Sequence, residues 1–144
     1  MEVRQLTIFM DNRPGRLKSV TKVLADANIN MRALSIADST DFGLLRIIVD
    51  DPDFTKKTLE DAGFVAKINH VVVIEVDDRP GGLDAILAPI ADADINIEYI
   101  YAFAGGENKE KALVLFKFND NQKAIGVLET AKVRILSEED IKAI

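Results

Sequence analysis

The chain of 144 residues has no cysteine, no tryptophan and a single histidine. Without cysteine there are no disulfides, zinc-thiolate sites or thiol catalysis, and such a composition is typical of a reducing cytoplasm. The lone His70 has no nucleophile, base or metal ligand spaced around it, so no catalytic constellation is indicated. We therefore expect a cytoplasmic protein that is not an enzyme and that needs no cofactor and no metal.

Long apolar runs and positive charge are also scarce. No apolar run approaches the roughly 18 residues of a membrane span, and the first residues do not form a basic leader followed by an apolar segment. Acidic residues outnumber basic ones by 24 to 18, which gives a net charge of −6. A chain with this charge and no basic stripe is not expected to bind nucleic acid or a membrane.

What the sequence does contain is an internal repeat. The stretch DNRPGRL (Asp11–Leu17) returns as DDRPGGL (Asp77–Leu83), 66 residues later (77 − 11). Residues 11–30 and 77–96 align without gaps and share ten identical positions. The similarity continues from FGLLRIIVD to KALVLFKFN at an offset of 69, because the second copy has a three-residue insertion in the polar loop GGENKEK. Two long copies indicate duplicated domains, which we place at residues 1–69 and 70–144.

The hydrophobic periodicity of each copy predicts the order β-α-β-β-α-β. In the first copy the predicted elements are 3–10, 16–27, 31–38, 44–50, 51–63 and a strand from 64, with STDFG as a turn. In the second copy they are 71–76, 83–93, 97–104, 112–118, 122–131 and 133–136. Pro89 is expected to bend or shorten its helix, and SEED (Ser137–Asp140) predicts a capped final helix. The predicted fold class is α+β, with two tandem ferredoxin-like βαββαβ units forming side-by-side antiparallel sheets with helices on one face.

The repeated phrase D-x-R-P-G-x-L, followed by a helix and then A-N-I-N or A-D-I-N, resembles the ACT domain, a small regulatory module that binds amino acids. The resemblance covers nearly the whole chain as two tandem copies, with no appended catalytic segment. It implies that domains associate side by side through their edge strands and hold an effector amino acid where a strand–helix loop faces a neighbouring domain. The implied protein is a sensor of free amino acids that signals as a homodimer or through a regulated metabolic enzyme.

The residues themselves suggest how such a loop binds a zwitterion. Gly15 and Gly81 have no side chain, so a ligand carboxylate can approach the peptide N–H groups that open the next helix. The aspartate that begins each phrase can offset an α-ammonium group, and the asparagine that ends each repeat offers a donor and an acceptor. The candidate ligand-binding residues are Asp11, Asn12, Arg13, Pro14, Gly15, Arg16, Leu17, Asn30, Met31, Asp77, Asp78, Arg79, Pro80, Gly81, Gly82, Leu83, Asn96 and Ile97.

Simpler interpretations of the same residues stay open. The Pro-Gly pairs are also ordinary turn chemistry, Asp11 is a suitable turn or helix cap, and Asn30 is suited to a bulge or turn. Met31 and Ile97 are equally suited to the core. The alternative function is therefore a ligand-free protein-interaction or structural module of the same fold.

Aromatic residues bear on two further interpretations. Tyr99 and Tyr101 share one face of a predicted strand and are expected to line a pocket or to seal an interface between domains. An RNA-binding module has the same element order, but it displays aromatics on its central strands. Only the second copy has them, at Phe116 and Phe118, and the acidic charge disfavours this interpretation.

Overall fold

The structure is a computed structural model that describes residues 1–38, 41–103 and 109–144. The chain divides into two compact units: residues 4–69 form the first unit, and residues 1–3 together with 70–144 form the second unit. The division into domains 1–69 and 70–144 stays a prediction. Residues 39–40 of the predicted turn STDFG, residue 104 of a predicted strand and residues 105–108 of the loop GGENKEK lie outside the described residues.

The elements follow the predicted order in each copy. They are β1 (Val3–Asp11), α1 (Arg16–Asp26), β2 (Ala33–Asp38), β3 (Phe42–Ile48), α2 (Pro52–Asp61), β4 (Val65–Asp77), α3 (Gly82–Asp92), β5 (Ile97–Ala102), β6 (Lys111–Phe118), α4 (Asn121–Thr130), β7 (Ile135–Leu136) and α5 (Glu138–Lys142).

In the first unit, β3 pairs antiparallel with both β1 and β2, and the amino-terminal part of β4 neighbours β1. Alternate residues of these strands face one side, where α1 and α2 cover them. That core is built from large aliphatic side chains. Its most deeply buried members are Leu6, Ile8, Val20, Leu24, Leu45, Ile47 and Leu59.

The second unit repeats this arrangement. The carboxyl-terminal part of β4 pairs antiparallel with β6 and β7, and β6 pairs with β5. Helices α3 and α4 cover one face of the strands, and their core residues include Val72, Ile74, Ile90, Phe116, Phe118, Ala124 and Leu128. The predicted α+β class with two βαββαβ units and antiparallel pairing is therefore confirmed.

One difference from the sequence prediction is β4, which is a single strand of 13 residues. The sequence predicted a strand from residue 64 and a second strand at 71–76. No glycine or proline separates these segments, so nothing in the backbone interrupts the extended conformation. The predicted capping box is confirmed: Ser137 caps α5 and exchanges hydrogen bonds with Asp140.

The carboxyl ends of α1 and α3 explain why part of the repeated sequence is the same in both copies. Asn28 and Asp94 stand at corresponding positions and both have a left-handed backbone, with φ of 57° and 56°. Asparagine and aspartate tolerate this conformation better than most residues. The N–H of the next residue then donates to a carbonyl in the last turn of the helix, as the N–H of Ile29 does to the carbonyl of Leu24. The phrases A-N-I-N and A-D-I-N are thus partly helix-terminating signals.

Candidate functional site

The repeated phrases form two matching strand–helix loops, called loop one (Asp11–Leu17) and loop two (Asp77–Leu83). Gly15 and Gly81 are the N-cap residues of α1 and α3, and both have a φ of 85°. Side chains rarely adopt this left-handed conformation, which accounts for glycine at both positions. A Cβ atom added at either glycine would meet nothing within 4 Å, so the space above each loop is open.

Some of the amide nitrogens in each loop are occupied by the protein itself. In loop one, the N–H of Asn12 donates to the carbonyl of Asp41 over 3.1 Å, and that of Arg13 donates to the carbonyl of Asp11 over 3.0 Å. In loop two, the N–H of Asp78 donates in the same way to Glu110 over 2.9 Å. These hydrogen bonds close each turn and hold the following helix start in place.

Other amides remain open. Neither α1 nor α3 has a side-chain N-cap hydrogen bond. The N–H groups of three residues in each copy find no hydrogen-bond acceptor among the described residues: Gly15, Leu17 and Lys18 in the first copy, and Gly81, Leu83 and Asp84 in the second. Unpaired N–H groups and the positive end of the helix dipole favour an anion at such a position.

The aspartate of loop one lies between two arginines. The Oδ2 atom of Asp11 is 3.3 Å from Nη2 of Arg13 and 3.9 Å from Nε of Arg16. The guanidinium carbon of Arg16 also lies 5.3 Å from the ring centroid of Phe64, a cation–π contact. The Nε atom of Arg16 is buried and has no hydrogen-bond partner among the described residues. Loop one therefore has more positive than negative charge around its open amides.

The aspartate of loop two has different partners. Lys111 donates a hydrogen bond to Asp77, and Nη2 of Arg79 lies 3.5 Å from Oδ2 of Asp77. The hydrogen bond and charge of Lys111, with a smaller contribution from Arg79, lower the pKa of Asp77 below its ordinary value. The same hydrogen bond raises the pKa of Lys111. The two side chains therefore stabilise each other's charged forms.

The loops also differ at the first residue of the helix. Gly82 is buried, and a Cβ atom there would lie 1.9 Å from the carbonyl oxygen of Asp77. No side chain fits at this position without moving the backbone. In loop one the corresponding residue is Arg16. Its N–H donates to the carbonyl of Arg13 over 3.4 Å, whereas the N–H of Gly82 donates to the carbonyl of Arg79 over 2.9 Å. The turn of loop two is therefore tighter than that of loop one. This difference matches the presence of glycine at position 82, where loop one has an arginine.

The remaining candidate residues lie at the starts of β2 and β5. Asn30 and Asn96 are exposed, and no hydrogen bond or ion pair within the described chain joins either side chain to the loops. The backbone of Asn96 makes two hydrogen bonds with Asn119. The N–H of Asn96 donates to Oδ1 of Asn119 over 3.1 Å, and the carbonyl of Asn96 accepts from the N–H of Asn119 over 3.0 Å. Met31 and Ile97 are half-buried and pack against the two cores, which favours their interpretation as core residues.

The aromatic residues singled out in the sequence divide into two groups. Phe116 and Phe118 are fully buried and stack on each other with ring centroids 5.3 Å apart. Buried rings are not available for base stacking, so the RNA-binding alternative loses its aromatic support. Tyr99 and Tyr101 pair with Lys117 and Leu115, which places them on one face of β5, as predicted.

Other potential sites are few in the described part of the chain. No group of three or more histidine, aspartate or glutamate side chains there is placed to hold a metal ion. No described helix is long and apolar enough to span a membrane. An open groove of about 430 Å³ lies between α3 and α4. Its lining residues are Pro89, Lys123, Gly126, Val127, Thr130 and Ala131, none of which is a candidate ligand-binding residue.

Two α+β units of βαββαβ order, each with a Pro-Gly loop between its first strand and helix, form a tandem ACT-like module. The chain belongs to the ACT domain pair family, whose model matches residues 1–144. Among curated proteins, none matches the sequence.

Solved structures agree with the family. Protein BT0572 from Bacteroides thetaiotaomicron is 42% identical, with a TM-score of 0.92 and coverage of 100% of this chain and 98% of that one. The regulatory subunit of aspartate kinase from Thermus thermophilus, in a ligand-free form, is 18% identical, with a TM-score of 0.60 and coverage of 89% and 91%. The regulatory subunit from Thermus flavus is 15% identical, with a TM-score of 0.59 and coverage of 91% and 93%. At these identities the aspartate kinase subunits show the shared fold alone.

Proposed function

We propose that this protein is a regulatory sensor that binds a free amino acid through the Pro-Gly loops of its ACT domains. The observation that supports this most is the set of three unpaired amide N–H groups at each helix start, beneath open space. Both copies keep this arrangement although their other side chains differ. A carboxylate is the ligand group that such donors favour.

The expected affinity is moderate. Hydrogen bonds to a charged group contribute about 1.5–3 kcal/mol each, and the loss of ligand freedom on binding offsets several kcal/mol of that sum. Two or three such bonds therefore correspond to micromolar to millimolar dissociation constants. This range suits a sensor of metabolite concentration.

The ligand ammonium group needs an acceptor as well. The carboxylates of Asp11 and Asp77 already have basic partners, but their side chains remain 54% and 43% exposed. Each aspartate therefore still presents oxygen atoms to the solvent beside its loop. We propose that the ammonium group binds there, with the ligand held where the loop faces a neighbouring ACT domain.

The two copies are expected to bind unequally. Loop one has three basic residues and two acidic ones, whereas loop two has two basic residues and four acidic ones. In loop one these are Arg13, Arg16 and Lys18 with Asp11 and Asp41, and in loop two Arg79 and Lys111 with Asp77, Asp78, Asp84 and Glu110. Negative charge near a carboxylate ligand weakens binding and positive charge strengthens it. We expect the first copy to have the higher affinity for the amino acid.

The protein's output is proposed to be regulatory. An ACT domain pair fills the described chain, and regulatory subunits of aspartate kinase share its fold. We propose that the protein is not an enzyme, that it acts in the cytoplasm as a homodimer, and that the bound state is transmitted to a partner such as a metabolic enzyme. Such transmission requires two states of the protein, and the amino acid shifts the equilibrium between them only as far as its affinities for the two states differ.

The proposal is tested by titrating the full chain with each common amino acid, by calorimetry and by thermal unfolding. Binding to the native state alone is expected to raise the melting temperature in a saturable way. The amide derivative of the same amino acid, which lacks the carboxylate, is expected to give no stabilisation. No response to any amino acid at millimolar concentration would contradict the proposal.

A matched pair of variants separates binding from backbone strain. Gly15 and Gly63 both have positive φ values, 85° and 90°, and both have open space where a Cβ would lie. Gly15→Ala and Gly63→Ala therefore impose similar strain, but only Gly15 lies in a Pro-Gly loop. We expect Gly15→Ala to lower the free energy of ligand binding by at least as much as it lowers the free energy of unfolding. Gly63→Ala is expected to leave the affinity for the ligand unchanged.

One observation favours the ligand-free alternative. The positive φ of Gly15 and Gly81 is by itself a sufficient reason for glycine in each loop. If the loops serve only the fold, the protein acts through protein contacts and no amino acid stabilises it. The titration above distinguishes the two functions.

A further inference from the structure

The side chain of Arg16 marks a chemical difference between the two loops. Its guanidinium carbon lies 5.3 Å from the ring centroid of Phe64, a contact that holds the group beside the start of α1. In loop two the corresponding residue is Gly82, where the carbonyl of Asp77 leaves no room for a side chain. A ligand that binds Arg16 in the first copy therefore has no equivalent partner in the second copy.

The hydrogen-bonding capacity of Arg16 is not fully used within the described residues. Its Nε atom is buried and has no hydrogen-bond partner there, and Oδ2 of Asp11 lies 3.9 Å away, beyond hydrogen-bond distance. A buried N–H donor without an acceptor costs free energy, which an anion recovers by supplying the acceptor. The Arg16 side chain is 30% exposed, so a ligand bound at the neighbouring open amides can reach the guanidinium group.

The charge around each loop favours a negatively charged ligand in the first copy alone. The charged residues on and beside loop one give a net charge of +1 (3 − 2), and those of loop two give −2 (2 − 4). An amino acid with a neutral side chain has no net charge at neutral pH, whereas one with a second carboxylate has a charge of −1. Loop one attracts the charged ligand and loop two repels it.

We propose that the first copy recognises an amino acid with an acidic side chain, such as aspartate or glutamate. This inference rests on the proposed function, because it concerns the same ligand at the same loop. The α-carboxylate binds the open amides of Gly15, Leu17 and Lys18, the ammonium group binds Asp11, and the second carboxylate binds Arg16. A planar guanidinium group presents two parallel N–H donors to a carboxylate, which makes the contact both strong and selective.

Loop two is expected to bind without this selectivity. Its helix begins at Gly82, so the first turn carries no guanidinium group. Its basic residues, Arg79 and Lys111, both lie beside Asp77 and offset the charge of that carboxylate. We therefore expect an acidic amino acid to occupy the first copy at concentrations that leave the second copy empty.

Calorimetry on the full natural chain tests the inference with two matched pairs of ligands, at neutral pH and constant ionic strength. The pairs are aspartate with asparagine and glutamate with glutamine, whose members have nearly the same size and shape and differ in side-chain charge. We expect the acidic member of at least one pair to bind about tenfold or more tightly than its amide, because a charge-assisted bidentate contact contributes at least that factor.

Substitutions on α1 locate the origin of this preference. Arg16→Met removes the guanidinium group but keeps an unbranched side chain, and should reduce the preference to about two- to threefold, since the remaining exposed cations act through solvent. Arg16→Lys restores the charge without the planar donors and should retain part of the preference. Lys22→Met is the control, because it removes an equal charge from the same helix, where Lys22 pairs with Asp26. It should leave the preference unchanged.

The outcomes separate this inference from the proposed function. An acidic preference that Arg16→Met abolishes and Lys22→Met retains supports the inference. Equal or tighter binding of both amides, binding of other amino acids but of none of these four, or a preference that Arg16→Met retains would overturn it and leave a general amino-acid sensor. An equal loss in Lys22→Met would also overturn it. No binding of any amino acid overturns both the inference and the proposed function.

Discussion

Lys111 donates a hydrogen bond to the carboxylate of Asp77 between two paired strands. The strand position that corresponds to Lys111 in the first copy, opposite Asp11, is occupied by Phe42. The repeated aspartate thus has an arginine of its own loop nearby in both copies, and its second basic partner is Lys111 of the neighbouring strand in one copy and Arg16 in the other. This exchange makes the two loops electrostatically different while their backbones follow the same path.

Removing the Lys111 partner is expected to shift a titration. In Lys111→Met, the pKa of Asp77 should rise toward its ordinary value, because the largest cause of its lowering is lost. A lowered folded-state pKa contributes stability that is present above the unfolded value of about 3.9 and lost as the pH falls through the folded value. The variant should therefore lose less stability on acidification than the natural chain.

The measurement is an NMR titration of the aspartate carboxyl groups. Asp140, whose pKa is lowered by hydrogen bonds from Ser137, provides the control because it does not contact Lys111. Its titration should be unchanged by the substitution. An unaltered pKa of Asp77 in Lys111→Met would show that the ion pair does not form in solution.

Two glycines should respond to alanine in opposite directions. A Cβ at position 82 would overlap the carbonyl of Asp77, so Gly82→Ala should destabilise the protein by about 1–3 kcal/mol through displacement of the loop. Gly126 lies inside α4 with nothing within 4 Å of an added Cβ. Gly126→Ala should stabilise the protein by about 0.5–1 kcal/mol. Urea unfolding measures both, and a stable Gly82→Ala variant would contradict the close approach.

A buried asparagine anchors the start of α4. The amide nitrogen of Asn121 donates to Glu2 over 2.7 Å and to the carbonyl of His70 over 2.9 Å, and its oxygen accepts from the N–H of Phe118 over 3.0 Å. Asn121→Ala removes these three hydrogen bonds, including the one from the fully buried Phe118, and should cost about 1–3 kcal/mol of unfolding free energy. The exposed Asn119, which accepts one hydrogen bond from Asn96, is the control.

We expect Asn119→Ala to cost clearly less than Asn121→Ala in the same denaturant experiment. Deletion of residues 1 and 2 should lower the unfolding free energy by less than Asn121→Ala does, because the hydrogen bonds of Asn121 with His70 and Phe118 remain. Equal stability of Asn121→Ala and the natural chain would mean that water replaces these bonds.

The sequence was sufficient to predict the fold because its local signals agree with one another. The repeat, the alternation of apolar residues and the Pro-Gly turns all indicate the same element order, and the structure follows it in both copies. The capping box at Ser137 was predictable from four letters. The repeat divides β4 in two because the boundary between the copies falls inside the strand, although no glycine or proline interrupts it there.

The finer features of the loops were not predictable from the sequence. The pairing of Lys111 with Asp77 depends on the register between β4 and β6, which local patterns do not specify. The close approach of Gly82 to the carbonyl of Asp77 depends on how tightly one turn is wound. The sequence shows glycine in the second copy where the first has Arg16, but the steric reason lies in the approach of the Asp77 carbonyl to position 82, which the sequence does not specify.

We propose that the open amides of the Pro-Gly loops bind the carboxylate of a free amino acid. Heteronuclear NMR of the isotopically labelled full chain, titrated with the amino acid that gives the largest thermal stabilisation, tests it most directly. We expect saturable chemical-shift changes that are largest at the amides of Gly15, Leu17 and Lys18, with smaller changes at Gly81, Leu83 and Asp84. Saturable shifts confined to other parts of the chain, or no shifts at millimolar amino acid, would contradict it.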